Sequence, residues 1–93
     1  MKENEPYLIE NLLGSRARVK ILKILAINSE LNISSIIKEA NLNHKNAKKH
    51  LQYLKKVDLI QQKNFGRIKI FRFKKENLKA KCFKNFLEIW EDL

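Results

Sequence analysis

The 93-residue sequence predicts a mainly α fold with a small β-hairpin, α+β in class, folded as one domain over residues 1–93. Three observations carry this expectation. Apolar residues recur at three- and four-residue steps through most of the chain, which is the periodicity of one-sided helices. Only Leu59 to Phe73 breaks that rhythm, with β-favouring Ile and Phe around a glycine. A chain of this length builds one core, because two cores would each bury too little surface to offset chain entropy.

The elements follow in order. Pro6 to Leu13 carries Leu8, Ile9, Leu12 and Leu13 before Gly14, so a short terminal helix is assigned to residues 5–13. Ser15 is placed to cap a helix reaching about Asn28, its hydroxyl accepting from a free amide of the first turn. Ala17, Ile21, Leu22, Ile24 and Leu25 form the buried stripe of that helix. Leu31 to Ile33 is a candidate for a small strand, and Ser34 is the expected cap of Ser35–Ala40. Asn41 suits the left-handed backbone that ends many helices. Leu42 then plugs the corner, and Asn43 caps a helix that buries Ala47, Leu51 and Leu54. Two short helices across a three-residue turn form a helix-turn-helix.

Leu59-Ile60 and Arg67 to Phe73 are the arms of the hairpin, separated by the polar stretch Gln61 to Gly66. In the last segment, 77–93, Leu78, Cys82, Phe86, Ile89 and Leu93 share one helical line, and Phe83, Leu87 and Trp90 the adjoining one. Together they cover about half the circumference, more than the roughly 100° that one core contact needs. A second protein surface is expected against this helix.

The net charge of +10 is concentrated. Residues 14–75 hold sixteen Lys and Arg against Glu30, Glu39 and Asp58, while both ends are mildly acidic. A positive region between near-neutral ends suits a polyanion-binding face; the plainer alternative is a lysine-rich surface kept for solubility. The single cysteine, Cys82, cannot form an internal disulfide, and no Cys/His cluster has zinc spacing, so a reducing compartment and no metal are expected. No apolar run approaches the roughly 20 residues of a membrane span, and the acidic start is unlike a signal peptide. A cytoplasmic protein without membrane contact or cofactor is expected.

Enzyme readings fare poorly. Gly14-Ser15-Arg16 resembles the opening of nucleotidyltransferases, but no Asp-x-Asp follows to hold magnesium, the only aspartates being Asp58 and Asp92. His44 and His50, six apart, do not meet on a helix, so they make no metal pair, and His50 is expected at the edge of the core.

Segment 43–56 contains five lysines and no acid. Opposite its buried stripe stand Lys45, Lys48, Lys49, Gln52 and Lys56, with Asn46 and Tyr53 at one edge. The major groove of DNA admits one helix, and lysine or asparagine near its start reaches acceptors on guanine or pairs with adenine. Lys45, Asn46 and Lys49 are therefore assigned to base edges. Lys48, Lys55 and Lys56 are assigned to phosphates, and His44 to phosphate or base. A merely solvated helix face would usually mix in glutamates at i,i+4 spacing.

The order of elements resembles the winged-helix architecture of ArsR-like transcriptional regulators over residues 12 to about 76. The resemblance is carried by Leu13-Gly14-Ser15-Arg16-Ala17-Arg18 leading into Ile21-Leu22-Lys23-Ile24-Leu25. Leu42-Asn43 before His50-Leu51-Gln52-Tyr53-Leu54 continues it, followed by Leu59-Ile60 and by Gly66-Arg67 before Phe71-Arg72-Phe73. It implies a winged-helix core at 15–75, a recognition helix at 43–56 and a wing at 61–69. The wing's Lys63, Asn64, Arg67 and Lys69 would meet the adjacent minor groove or phosphates. Phe65 is expected to pack back under the loop rather than stand out as a wedge, and Arg72 and Lys74 to be ordinary outward-facing strand residues.

The terminal helices at 5–13 and 77–93 are expected to form a homodimer through Tyr7, Leu8, Leu12, Phe83, Phe86, Ile89, Trp90 and Leu93. The paired cysteines by which many ArsR-like proteins sense metals are missing from the recognition helix. Abundant Lys, Ile and Asn fit an AT-rich genome, of archaeal or viral type. The expected function is sequence-specific binding of double-stranded DNA by a homodimeric regulator, a repressor rather than an activator. The alternative is a winged-helix interaction module that binds an acidic protein partner.

Overall fold

The computed structural model describes residues 6–92. Pro6 and Tyr7 form a single tight turn, and α1 is confined to Ile9–Leu13. The terminal helix assigned to 5–13 is thus shorter than expected, because Leu8 is extended (ψ 135°) and starts the helix only at its own C-terminal side. Gly14 closes α1, its backbone N–H donating a hydrogen bond to the Glu10 carbonyl at 2.7 Å. A Cβ there would collide with that same oxygen, so close approach rather than unusual φ calls for glycine.

Helix α2 (Arg16–Asn28) begins as the sequence predicts, with the Ser15 hydroxyl accepting from the Arg18 amide at 3.2 Å. Strand β1 (Glu30–Asn32) leads directly into α3 (Ile33–Ala40). The cap of α3 is Asn32, whose side chain accepts from the Ser35 amide at 2.8 Å, not Ser34. Strand β1 ends where the chain turns inward at Ile33, which leaves Ser34 already inside the first helical turn. Asn41 takes the left-handed conformation (φ 55°, ψ 50°), and Asn43 caps α4 (His44–Lys56) by accepting from the Asn46 amide at 2.8 Å. The helix-turn-helix is therefore built from the tripeptide that predicted it.

The hairpin differs from expectation. Strands β2 (Ile60–Phe65) and β3 (Ile68–Phe73) pair without interruption from Ile60↔Phe73 to Phe65↔Ile68, so Gln61 to Phe65 is strand, not loop. Only Gly66 and Arg67 stand outside the ladder, with Gly66 at φ 60°, which suits the first position of a two-residue hairpin turn. Beyond Ile60 both faces of β2 leave the core, which is why its residues are polar and lack the alternation of a half-buried strand. The sheet is antiparallel in the order β1-β3-β2, with Leu31 opposite Phe71.

Arg72 of β3 and Lys74, which lies just beyond the strand, are half-buried and tied down rather than ordinary outward-facing strand residues. Arg72 donates to Gln61 and Glu76, each at 2.7 Å, and Lys74 to Asp58 at 2.6 Å. The Arg72 guanidinium holds the Glu76 carboxyl down at about 2, and the Lys74 ammonium lowers that of Asp58.

One core joins all of this. Ile21, Leu22 and Leu25 of α2 meet Ile36, Leu51, Leu54, Ile60, Phe71 and Phe73, all buried. Burying each such Leu or Ile contributes about 1.5–3 kcal/mol. Helix α5 (Leu78–Glu91) is capped by Asn77, and its end is held to α2 by an ion pair between Lys23 and Glu91. It buries only Ala80 and Leu87. No helix among the described residues is long and apolar enough to cross a membrane.

Candidate nucleic-acid interface

With Ala47, Leu51 and Leu54 committed to the core, helical geometry turns the rest of α4 outward. His44, Lys45, Asn46, Lys48, Lys49, Gln52 and Lys56 are all exposed. Among the described residues no carboxylate pairs with Lys45, Lys48, Lys49 or Lys56. Lys55 differs from the other predicted contacts: it is half-buried and its Nζ donates to Gln62 Oε1 at 2.9 Å, fastening the helix to β2.

At the hairpin, Lys63, Asn64, Arg67 and Lys69 are exposed, as is the turn itself. Gln62 Nε2 donates in turn to Asn64 Oδ1 at 2.9 Å, and Lys63 lies 3.4 Å from Glu30, so part of this cationic group is locally engaged. Phe65 contradicts its expectation. It stands 60% exposed opposite Ile68, itself 55% exposed, because the ladder runs to the turn and leaves no loop to fold under.

The inner side of α4 holds residues the sequence did not assign together. The Arg18 guanidinium lies 3.8 Å from the ring centre of Tyr53, donates through Nε to His50 Nδ1 at 3.2 Å, and donates through NH1 to the Asn11 carbonyl at 2.8 Å. The Tyr53 hydroxyl donates to the Pro6 carbonyl at 2.7 Å. Tyr53 is thus an inward residue rather than an edge of the cationic face. Desolvation, helped by Arg18 and Lys49, lowers the His50 pKa, which keeps the imidazole neutral and able to accept. His50 is the core-edge histidine the sequence predicts. Arg18 escaped notice because its partners lie on other elements, 7 and 32 residues away.

Over residues 15–71 the sequence matches the winged helix-turn-helix family. The chain belongs to that family. Solved structures similar to this winged helix-turn-helix protein include HlyU from Vibrio cholerae, at 15% identity and TM-score 0.78, covering 91% of this chain and 89% of that one. The homodimeric winged helix-turn-helix DNA-binding domain Mb0332 from Mycobacterium bovis aligns at 21% identity and TM-score 0.71, over 90% and 75%. The ArsR family transcriptional regulator RHA00566 aligns at 22% and 0.65, over 91% and 89%. At these identities the likeness establishes the fold, and it agrees with the ArsR-like resemblance of the sequence. No curated protein matches the chain.

The winged helix-turn-helix core carries a second, apolar surface on the terminal helices. A groove of about 580 Å³ runs between α1 and α5, lined by Tyr7, Leu8, Leu12, Phe83 and Phe86. Leu12 and Phe83 also pack on the core, and offer the groove only their outer edges. Beside it Ile89 and Trp90 are 74% and 76% exposed, and the Trp90 ring stacks on Phe86 at 5.6 Å. Leu93, also expected here, lies outside the described residues.

Proposed function

We propose that this protein is a homodimeric transcriptional regulator that binds double-stranded DNA. The observation that carries this reading is the outer face of α4, where exposed lysines, an asparagine and a glutamine stand on a helix-turn-helix with no acid among them. In this reading α4 enters the major groove, with Lys45, Asn46 and Lys49 at base edges and Lys48 and Lys56 on phosphates. Lys63, Asn64, Arg67 and Lys69 of the wing follow the adjacent minor groove or its phosphates. The similar Mb0332 domain is a homodimeric DNA-binding domain, which supports both halves of the proposal.

Two copies pair through α1 and α5, closing the apolar groove and covering Ile89 and Trp90. Paired recognition helices then meet half-sites one helical turn, about 34 Å, apart on a pseudo-palindrome. A dimer seated on such a site occludes it to other proteins, which favours repression. The test is a filter-binding titration on random duplex at several salt concentrations, followed by sequencing of the genomic fragments the protein retains. Binding that weakens steeply with salt, and fragments with paired half-sites, are expected. No duplex binding at low salt would overturn the DNA reading and favour the acidic-protein partner.

A further inference from the structure

The tip of the wing carries an apolar pair that neither the core nor the dimer surface uses. Phe65 and Ile68 are the last rung of the β2–β3 ladder, directly opposite one another across the Gly66-Arg67 turn, and both are more than half exposed. A two-residue turn with Gly66 at φ 60° keeps that rung paired to its end, so the two side chains ride on a stiff ribbon rather than a loose loop. Exposed cations lie close by: Lys63 on the same face two residues before Phe65, Arg67 in the turn, and Lys69 on the next rung, facing the other side of the ribbon. The ribbon is also joined to α4 through the Lys55–Gln62 bond, which ties the base of the wing to the helix that carries the cationic face.

Resting on the DNA reading above, we propose that Phe65, backed by Ile68, is a wedge that enters the minor groove and partly unstacks a base step, bending the duplex. Apolar side chains inserted between base pairs act in this way, and the unstacking is offset by the extra protein surface that the bent duplex meets. The charge of Lys63, Arg67 and Lys69 at the tip selects a polyanion as the surface into which the wedge is pressed. Pyrimidine–purine steps unstack most easily, so the wedge adds sequence preference at a position no hydrogen bond reads.

Binding, bending and unstacking are measured separately on one duplex: binding by anisotropy, bending by energy transfer between end labels, and unstacking by 2-aminopurine placed at the wing step. Wild-type protein is expected to bend the duplex and brighten the probe. Phe65→Ser should abolish both signals and weaken binding roughly tenfold, within the range for losing one stacked aromatic. Phe65→Leu should keep the bend, and Ile68→Ser should reduce it; circular dichroism of each variant checks that the exposed substitutions leave the fold intact. Tight wild-type binding with neither bend nor brightening overturns the wedge and leaves the DNA reading standing, whereas absence of binding overturns both. Phe65-dependent binding to anionic vesicles, with unaltered duplex binding in Phe65→Ser, assigns the tip to a membrane and also overturns the proposal.

Discussion

The outer faces of α4 and α5 are helices of 13 and 14 residues that solve opposite problems. On α4 the exposed residues are lysines and amides, which water solvates fully, so the face is stable without a partner and a polyanion adds affinity only when present. On α5 the exposed residues include, beside Lys81, Asn85 and Glu88, the apolar Leu78, Phe86, Ile89 and Trp90 near the α1 groove, and water penalises each of these four. A contiguous apolar patch of this kind marks a protein contact. The difference separates two needs: the α5 face is penalised by water whether or not DNA is near, so in the proposed function pairing of copies would not depend on an operator, whereas the α4 face would gain only when one is present.

That comparison breaks most sharply at Trp90. Trp90→Ala removes an aromatic typically worth about 2 kcal/mol or more at an interface, and a symmetric dimer would lose it twice, so the dissociation constant read by sedimentation equilibrium should rise about a thousandfold. The monomer's melting temperature should hardly move, since the side chain is exposed; a large fall in melting with unchanged association would assign Trp90 to the fold instead. On the opposite face Lys49→Ala should cost about 1–3 kcal/mol of specific binding and relax sequence preference, whereas Lys56→Ala should leave preference alone and reduce the salt slope by about one. Equal loss on all sequences would demote Lys49 to a phosphate contact.

A smaller effect tests how the inside of α4 is held. The folded state lowers the His50 pKa below its ordinary 6.5, so it binds that proton less readily than the unfolded chain. The stability contributed by neutral His50 is therefore full above pH 6.5 and falls as the solution is acidified below it. Thermal unfolding between pH 7.5 and 5 should show that slope, and His50→Gln should flatten it while keeping an acceptor for Arg18. The smallest effect belongs to Glu76, an exposed partner of Arg72. Its contribution is present above the ordinary 4.5 and lost as pH falls through about 2, so Glu76→Gln should match wild type in urea at pH 2 and differ slightly at pH 7.

The sequence made the helix-turn-helix legible because its determinants are local. Asn41 and Asn43 each act within three residues, and the Ala47-Leu51-Leu54 stripe needs only helical period. The outer cations of α4 follow from the same period. What stayed hidden has non-local causes. Gln61 to Asn64 form a strand because β3 supplies hydrogen-bond partners, while their side chains, all polar and with Gln62 only half-buried, carry no apolar alternation. Asn32 and Ser34 are equally good caps, and only the end of β1 selects between them. Phe65 could not be placed before the length of the ladder was known. Arg18 joins α1, α2 and α4 across long sequence separations, and nothing in its neighbours announces it.

That last residue has a consequence for control. A single planar cation grips the backbone of α1 at Asn11 and the side chains of α4 at His50 and Tyr53, while Tyr53 reaches back to Pro6. The element that two copies would share and the element that would read DNA are thus geared together, like two wheels on one axle. Coupling of this kind runs both ways: whatever factor an operator adds to the cohesion of the pair, the pair returns to the grip on the operator. Loosening the axle, as in Arg18→Met, would leave both wheels intact and turning independently.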